Sequence, residues 1–472
     1  MLKQSVMQRR NTPFRRGTPS LYHHLSMLKP SFVSRVDNVL HYDKTITFRS
    51  EIIPDKAKGI LSTSLLYSQG SDIYEIDCSL PLESFYPSSS NKKSTKNEKK
   101  DDNKDTTTKD NGDKENNEQK NKTASFDDAF AAVEGKRLSP KWAYLGETVS
   151  KMSYLDSSDD STMIAMSKNG SLAWFRDGIK VPVHIVQEMM GPSTSYAAMH
   201  SHVRPNNLAV SDFGLSSNLD TLVKSHSNGS EEDSILKIID NAGKPGEILR
   251  TLHVPGTTVT HTVRFFDNYL YGTCSDDNTL RFWDTRTAEK PLFILTEHQN
   301  GRLNSFDTSQ VTGELFVTGS STGVIKLWDI RAVENATTDL THRQNGEDPI
   351  QNELVSLYHS GGDSVADVAF SETSSSEFIT VGGTGNVYHW DMEYLFGRND
   401  DDNEDDSTTP AAPEELQGQC LKFFHTAGGR RTSAQQGKRN IVAMHPVIDD
   451  LVCTVTPDSQ LSLYRPLKLR SV

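Results

Sequence analysis

The stretch TLRFWDTR, residues 279 to 286, alternates apolar and polar side chains and ends on a Trp-Asp pair. Two further copies, VIKLWDIR at 324 to 331 and NVYHWDME at 386 to 393, show that the stretch belongs to a repeat. Relaxing the Trp position to any apolar residue adds four more units: DIYEID (72–77), SLAWFR (171–176), ILKIID (235–240) and QLSLYR (460–465). The sequence therefore contains seven such segments, named marker strands below.

The spacing of the marker strands indicates a propeller. Asp240, Asp284 and Asp329 end consecutive marker strands and are 44 and 45 residues apart, which is the period of a four-stranded propeller blade. Turns such as SDDN (275–278) and SSTG (320–323) precede the marker strands and supply residues that tolerate positive φ, as tight hairpins require. We therefore predict an all-β chain, a seven-bladed WD40-like β-propeller over residues 44–472.

The chain ends a few residues after the seventh marker strand, too soon for the last blade to form its own outer strand. The alternating segment KTITFRSEII (44–53) is predicted to complete that blade and close the ring, leaving no long open edge. Residues 1–43 are predicted to be a basic arm that contains a short helix. SLYHHLSMLKP (20–30) starts on an N-cap residue and stops at Pro30.

Two insertions account for the longer intervals between marker strands. Residues 88–123, SSSNKKSTKNEKKDDNKDTTTKDNGDKENNEQKNKT, contain no aliphatic or aromatic side chain. Residues 398–415, RNDDDNEDDSTTPAAPEE, are acidic and contain Pro. Neither segment can bury enough surface to offset its chain entropy, so we predict disordered insertions at about 87–125 and 397–418.

The composition limits the classes of function. A net charge of -13, from 50 basic and 63 acidic residues, argues against broad binding to nucleic-acid backbones. The four cysteines are far apart and form no CxxC pair, which fits neither a zinc ribbon nor a disulfide framework and suits a reducing compartment. The sequence has no apolar run of 18 residues and no apolar signal region near Met1, so neither a membrane span nor a secretory signal is predicted.

The first 36 residues contain seven Lys and Arg residues and no acid before Asp37. Three interpretations fit this composition and stay open: a mitochondrial transit peptide, a nuclear address built on Arg9 to Arg16, or an unstructured basic arm.

The Trp-Asp pairs have a structural explanation. A large aromatic side chain at the end of a blade's third strand fills the wedge between neighbouring blades, and the Asp can bond nearby turn amides. We assign structural roles to six residues on this basis: Trp283, Asp284, Trp328, Asp329, Trp390 and Asp391.

A search for reactive groups gives no catalytic site. VGGTGN (381–386) is glycine-rich but lies in a hairpin turn and lacks a Walker lysine. HSH (200–202) and the His23-His24 pair have no correctly spaced further metal ligands. GxSxG is absent, and no cysteine has a catalytic signature. We predict no enzyme, no cofactor and no metal.

One basic cluster is a candidate partner-binding site. GGRRTSAQQGKRN (428–440) brings together Arg430, Arg431, Lys438 and Arg439 beside glycines. It could dock an acidic partner or nucleic acid, supply half of a bipartite nuclear address, or form a solvated face that balances the acidic residues at 400–406. These three interpretations remain open, and a nucleic-acid-binding propeller is the alternative function.

With these residues in view, the chain resembles the budding-yeast WD-repeat transcriptional modulators, the WTM family. The resemblance covers nearly the whole chain apart from the arm and the Lys/Asp-rich insertion. The stretches that carry it are SLLYSQGSDIYEID (64–77), AMSKNGSLAWFRDGIKVPVHIVQEMMGP (165–192), DSILKIIDNAGKPGEILRT (233–251), VPGTTVTHTVRFFDN (254–268), RFWDTRTAEKP (281–291), THRQNGEDPIQNE (341–353) and TVGGTGNVYHWDMEY (380–394).

The resemblance implies a nuclear scaffold without enzymatic activity that modulates transcription, including repression of meiotic genes and silencing; a cytoplasmic pool is left open. It also implies protein partners: family paralogues, histone deacetylase or chromatin components, and the small subunits of ribonucleotide reductase, which the family helps to retain in the nucleus. The Gly-His dipeptide of regular WD repeats is largely absent, and only His261 is near its expected place.

Overall fold

The chain divides into two units. The larger comprises Met1–Glu51, Ser64–Ile76 and Arg137–Val472, and the smaller Ile52–Thr63 and Asp77–Lys136. The computed structural model describes residues 22–28, 45–81, 139–155, 162–188, 210–227, 234–254, 256, 259–287, 289–297, 300–340, 353–396, 413–425, 440–455 and 461–466.

The larger unit is a seven-bladed β-propeller, which confirms the predicted fold class. Each blade has four strands in hydrogen-bonded order from the centre outward, with one additional strand in the sheet of blade 1, and the marker strand is the third from the centre in every blade. From the innermost strand outward, blade 1 has β2 (Ile46–Phe48), β4 (Ile60–Gln69), β5 (Asp72–Pro81) and β6 (Trp142–Ala143); blade 2 has β7 (Val149–Tyr154), β8 (Met163–Ser167), β9 (Leu172–Phe175) and β10 (His184–Val186); blade 3 has β11 (Val210–Leu215), β12 (Thr221–Ser227), β13 (Ser234–Asp240) and β14 (Ile248–Val254).

The remaining blades repeat this order. Blade 4 has β15 (Thr260–Phe265), β16 (Leu270–Ser275), β17 (Thr279–Asp284) and β18 (Phe293–Thr296); blade 5 has β19 (Leu303–Thr308), β20 (Leu315–Ser320), β21 (Val324–Asp329) and β22 (Glu353–Tyr358); blade 6 has β23 (Val365–Phe370), β24 (Glu377–Gly382), β25 (Val387–Asp391) and β26 (Leu421–His425); blade 7 has β27 (Ile441–Met444), β28 (Val452–Val455), β29 (Leu461–Pro466) and β1 (Tyr22–Leu28).

The smaller unit is described over residues 52–63 and 77–81. Within it, β3 (Ile53–Asp55) pairs antiparallel with the first residues of β4, and Ile53 lies opposite Ser62.

The ring is closed by an N-terminal strand, but not by the predicted one. Residues 44–53 do not complete the last blade, because β2 pairs with β4, with Ile46 opposite Tyr67, and is the inner strand of blade 1. The last blade is completed by β1, whose Tyr22 and Leu28 lie opposite Pro466 and Leu461. The marker strand of blade 7 needs a neighbour on its outer side, since an open edge would leave its backbone groups unpaired.

Two further expectations are corrected by the same elements. The predicted helix over residues 20–30 is wrong, because Tyr22–Leu28 is a strand whose backbone pairs with β29. The second insertion ends earlier than predicted, because residues 413–418 are helical. The helices of the described residues are α1 (Ile330–Leu340), α2 (Glu393–Phe396), α3 (Pro413–Cys420) and a 3-10 turn at Ser360–Gly362. Residues 82–138, which hold the first insertion, lie outside the described part.

The turns before the marker strands adopt the backbone that their residues allow. Asn278 and Gly323 have φ angles of 59° and 81° in the turns SDDN and SSTG. Gly323 has a second reason to be glycine, since a Cβ there would lie 2.6 Å from the carbonyl oxygen of Asp363 in the next blade. A side chain at this position would push two neighbouring blades apart.

Candidate functional site: the charged central cavity and its supporting networks

The inner strands surround a central cavity of about 910 Å³. Because side chains alternate along a strand, every second residue of an inner strand can face this space. All seven blades contribute to the wall, in chain order through Thr47, Lys151, Asp212, Arg264, Asp307, Asp367 and Ala443.

A chain of ion pairs crosses four blades on the cavity wall. Lys151 Nζ lies 2.6 Å from Asp212 Oδ1, and Asp212 Oδ2 lies 3.0 Å from Arg264 Nη1. Arg264 Nε in turn lies 3.2 Å from Asp307 Oδ1. Lys151 also donates to the carbonyl oxygen of Phe213 at 2.5 Å. The two cations are therefore held by acids and by backbone at fixed positions.

Three aspartates of the wall also join inner strands through backbone amides. Asp212 Oδ2 accepts the amide of Val263 at 2.8 Å, and Asp307 Oδ2 accepts that of Phe370 at 2.8 Å. Asp367 Oδ2 accepts the amide of Val442 at 3.2 Å. Each of these bonds connects one blade to the next. Because the acceptor is a charged carboxylate, each bond is stronger than one between neutral groups.

Burial and charge act together on the proton affinities of these groups. Burial lowers the pKa of the Lys151 ammonium to about 8. Burial alone would raise the pKa of Asp212, but the charges of Lys151 and Arg264 hold it below its ordinary value. Burial raises the pKa of Asp307. The paired charges connect neighbouring blades and hold their polar atoms at fixed positions on the cavity wall.

The Trp-Asp positions lie at the blade junctions. Trp283, Trp328 and Trp390 are each at most 2% exposed and belong to clusters that include buried residues of the preceding blade. Asp284 Oδ1 accepts the amide of Arg286 at 2.8 Å, and Asp329 and Asp391 do the same for the residue two positions on. The Trp side chains pack between blades, and the Asp side chains fix the turns after the marker strands.

The tryptophans also anchor their blades through hydrogen bonds. The indole N–H groups of Trp283, Trp328 and Trp390 donate to threonine hydroxyls on the neighbouring strand at 2.9 to 3.0 Å. These threonines are Thr273, Thr318 and Thr380.

A chain of hydrogen bonds links a histidine, a threonine and Trp390 in blade 6, through a histidine that the sequence analysis did not identify. His359 follows β22, and its Nε2 lies 2.7 Å from Thr380 Oγ1, while its Nδ1 lies 3.0 Å from the carbonyl oxygen of Asp363. The expected His261 lies instead on an inner strand, with Nδ1 2.9 Å from Thr262 Oγ1. The sequence signal that could have identified His359 is its position directly after an outer strand, in the turn sequence His-Ser-Gly-Gly-Asp (359–363).

Buried ion pairs occupy the corresponding junction in two other blades. Glu297 follows β18 and lies 2.8 Å from the ammonium of Lys326 in the next marker strand, with both residues buried. Glu188 follows β10 and pairs with Lys224 and Lys237 of blade 3. The sequence signal for these pairs is a lysine inside each of the marker strands VIKLWD and ILKIID. A lysine that is buried in a strand needs an acidic partner.

Arg430, Arg431, Lys438 and Arg439 lie outside the described residues. In the described ranges no three His, Cys, Asp or Glu side chains are placed to hold a metal ion. None of the helices seen in those ranges is long and apolar enough to span a membrane.

The sequence matches a known repeat model. Residues 246–284 and 289–329 match the WD domain, G-beta repeat. Each matched stretch contains the outer strand of one blade and the first three strands of the next. The repeat is therefore offset by one strand from the blade, as expected when a terminal strand closes the ring.

Three relatives from Saccharomyces cerevisiae match along almost their whole length. The chain is 66% identical to transcriptional modulator WTM2 over 99% of its own length and 97% of that protein, and 57% identical to transcriptional modulator WTM1 over 95% and 97%. It is 38% identical to transcriptional regulatory protein UME1 over 96% and 92%. The resemblance seen in the sequence is thereby confirmed, and the chain belongs to the WTM family of WD-repeat transcriptional modulators.

Proposed function

We propose that this chain is a WD-repeat scaffold that modulates transcription through protein-protein contacts and has no catalytic activity of its own. The observation that carries the proposal is the 66% identity to transcriptional modulator WTM2 across 99% of the chain. This identity extends over nearly the whole chain and so supports more than the shared fold, which alone would not specify a function.

The geometry of the cavity supports a scaffold. Lys151, Asp212, Arg264 and Asp307 bond to one another, and both aspartates also bond backbone amides. Reactive groups at catalytic sites are usually arranged to act on a substrate, whereas these groups hold neighbouring blades together.

The proposal also specifies a location and partners. The chain acts in the nucleus, where it contributes to the repression of meiotic genes and to silencing. Its partners there are family paralogues and histone deacetylase or chromatin components. It also retains the small subunits of ribonucleotide reductase in the nucleus. The family resemblance supports these roles, and direct binding to nucleic acid is not part of the proposal because the net charge is -13.

Affinity purification of the tagged full chain from nuclei tests this proposal. We expect chromatin regulators or ribonucleotide reductase small subunits to be recovered in amounts that survive a stringent wash. Recovery of neither class, with the chain itself present in the nuclear fraction, would contradict the nuclear roles. A chain found only in mitochondria would contradict the location and favour the transit-peptide interpretation of the basic arm.

A further inference from the structure

Blade 7 differs from the other six blades in how its outer strand is attached. In blades 1 to 6 the outer strand follows the third strand along the chain, whereas in blade 7 the outer strand is β1, from the other end of the sequence. A backbone ladder joins β1 to β29, with Tyr22 opposite Pro466 and Leu28 opposite Leu461. β1 can therefore leave blade 7 without any change in the path of the chain through the other blades.

The ladder between β1 and β29 has features that favour opening. Its register shifts between His24 and Ser26, so the ladder is interrupted at Leu25. Among the strands that the structure describes, β1 pairs with β29 and with no other. An edge strand with an interrupted ladder separates at a lower cost in free energy than a strand that is bonded on both sides.

The connection from β1 to β2 is longer than the step from one blade to the next requires. It comprises residues 29–45, which span roughly 55 Å when extended, whereas six residues span about 20 Å. The equivalent connections after blades 1, 3, 4 and 5 comprise residues 144–148, 255–259, 297–302 and 359–364. β1 can therefore reach blade 7 of a neighbouring molecule while β2 stays in its own ring.

Two further connections between blades are long but do not permit the same movement. They comprise residues 187–209 and 426–440 and follow β10 and β26. Both of these outer strands are also joined by the chain to the third strand of their own blade. Only β1 combines a long connection with an outer strand that the chain does not join to its own blade.

We propose that β1 is an exchangeable strand: in a dimer of this chain, β1 of each copy pairs with β29 of the other copy, in the register that it has within one chain. Both rings are then closed, and the same backbone bonds are made in the dimer as in the monomer. The partner for this edge is therefore a second copy of the chain. This inference goes beyond the proposed function, because it concerns assembly of the chain with itself.

The length of the connection determines when exchange occurs. A strand on a short flexible linker is present at its own edge at an effective concentration in about the millimolar range. The connection of residues 29–45 gives an effective concentration roughly fivefold lower than a connection of six residues. We therefore expect dimers at about 500 µM protein and monomers at about 5 µM. Copies that are held side by side on one partner reach the higher range.

Cysteines placed across the ladder distinguish exchange from closure within one chain. Met27 lies opposite Ser462, and the changes Met27→Cys and Ser462→Cys are made in separate full-length chains. After the two variants are mixed for a day and oxidised, a disulfide between positions 27 and 462 can form only between two molecules. We expect this covalent dimer in the mixture at about 500 µM, and at least tenfold less of it at about 5 µM. Mass spectrometry locates the disulfide, and the unchanged chain, whose four cysteines are buried, controls for other disulfides.

Two matched variants control for the register and for the connection. Both changes in one chain should give a disulfide within the monomer at about 5 µM, which verifies that Met27 lies opposite Ser462. Deletion of residues 32–42 shortens the connection to the length found after blades 4 and 5. The single-cysteine variants that carry this deletion should close as monomers and give no covalent dimer, because six residues do not reach a second molecule. Thermal melts verify that each variant is folded.

Each possible result decides the proposal. Absence of the covalent dimer at about 500 µM, equal amounts of it with the shortened connection, or no disulfide within the double variant would each overturn strand exchange. If the chain stays monomeric at every concentration but still copurifies with chromatin regulators, strand exchange is refuted and the scaffold function stands.

Discussion

Thr380 accepts the indole N–H of Trp390 at 2.9 Å, and its hydroxyl oxygen lies 2.7 Å from Nε2 of His359. His359 Nδ1 lies against the carbonyl oxygen of Asp363, so Nδ1 carries the proton and Nε2 accepts the threonine hydroxyl. One hydroxyl therefore satisfies two buried groups in blade 6. In blade 5, Thr318 accepts only the indole N–H of Trp328 among the described side chains.

This difference predicts unequal costs for the same substitution. Thr318→Val leaves one buried donor unpaired and should reduce the free energy of unfolding by about 1 to 3 kcal/mol. Thr380→Val leaves a donor and an acceptor unpaired and should cost roughly twice as much. Urea unfolding of the two variants measures both values. Equal losses would show that the His359 bond adds nothing.

Buried histidines should make the fold sensitive to acid. Burial lowers the pKa of His359 to about 3 and that of His445 to about 4. In the unfolded chain these groups titrate near 6.5, so below that pH the unfolded state takes up protons that the folded state refuses. The free energy of unfolding should therefore fall by roughly 1 kcal/mol per pH unit for each histidine between about pH 6.5 and 4.

A single variant isolates one of these histidines. His445 Nδ1 accepts the amides of Val447 and Ile448 at 3.0 Å, and His445→Asn keeps an acceptor there while removing the titration. The slope of unfolding free energy against pH should decrease by the contribution of one proton. An identical slope in the variant and in the unchanged chain would refute the assignment of this acid sensitivity to His445.

The cavity network predicts a pH-dependent effect of removing its shared arginine. Arg264→Met leaves Asp307 without its cation, and the two side chains are 25% and 21% exposed. We expect the free energy of unfolding to fall by about 3 kcal/mol at pH 7.5, which is the low end of the cost of removing one partner from a buried ion pair. The loss should be smaller at pH 5, because Asp307 would bind a proton in the folded state more readily than in the unfolded state.

A second substitution checks this explanation. Asp307→Asn in the Arg264→Met background removes the unpaired charge and should recover part of the stability at pH 7.5. Denaturant unfolding at both pH values measures the four proteins of the cycle. If Asp307→Asn recovers no stability and the loss caused by Arg264→Met does not depend on pH, the packing of the arginine stem determines the effect.

Closure of the ring by β1 can be tested with two deletions. Removing residues 1–28 leaves β29 without its outer neighbour, so we expect a fall in melting temperature of several degrees and self-association through the open edge. Removing residues 1–20 keeps β1 and is the control. Size-exclusion chromatography and thermal melts compare them. Indistinguishable behaviour of the two deletions would contradict the role of β1.

The repeat pattern was sufficient to predict most of the fold. The seven marker strands were found from their apolar alternation, and turns such as SSTG signalled the hairpins before them. Residues 22–28 were misassigned because their pairing is determined by the edge of β29, more than 400 residues away, and not by a local preference. Nothing in a short segment of sequence records which distant edge it completes.

The supporting networks were harder to predict for a similar reason. The Trp-Asp residues were recognised because they repeat, whereas the group at the blade junction changes from blade to blade, for example from His359 to the pair Glu297–Lys326. The ion pairs of the cavity join residues such as Lys151 and Asp212 that are far apart in the sequence. Their proximity follows only from the arrangement of inner strands around one cavity.

A reporter assay with the full chain recruited to a promoter is the most direct test of the central claim, that the chain is a scaffold that modulates transcription. Fused to a sequence-specific DNA-binding domain and expressed with a reporter, the chain should change transcription severalfold, and the same fusion lacking residues 1–28 should do so less, because its ring is open. A reporter that does not respond to the folded, nuclear fusion at any promoter tested would contradict a scaffold that modulates transcription.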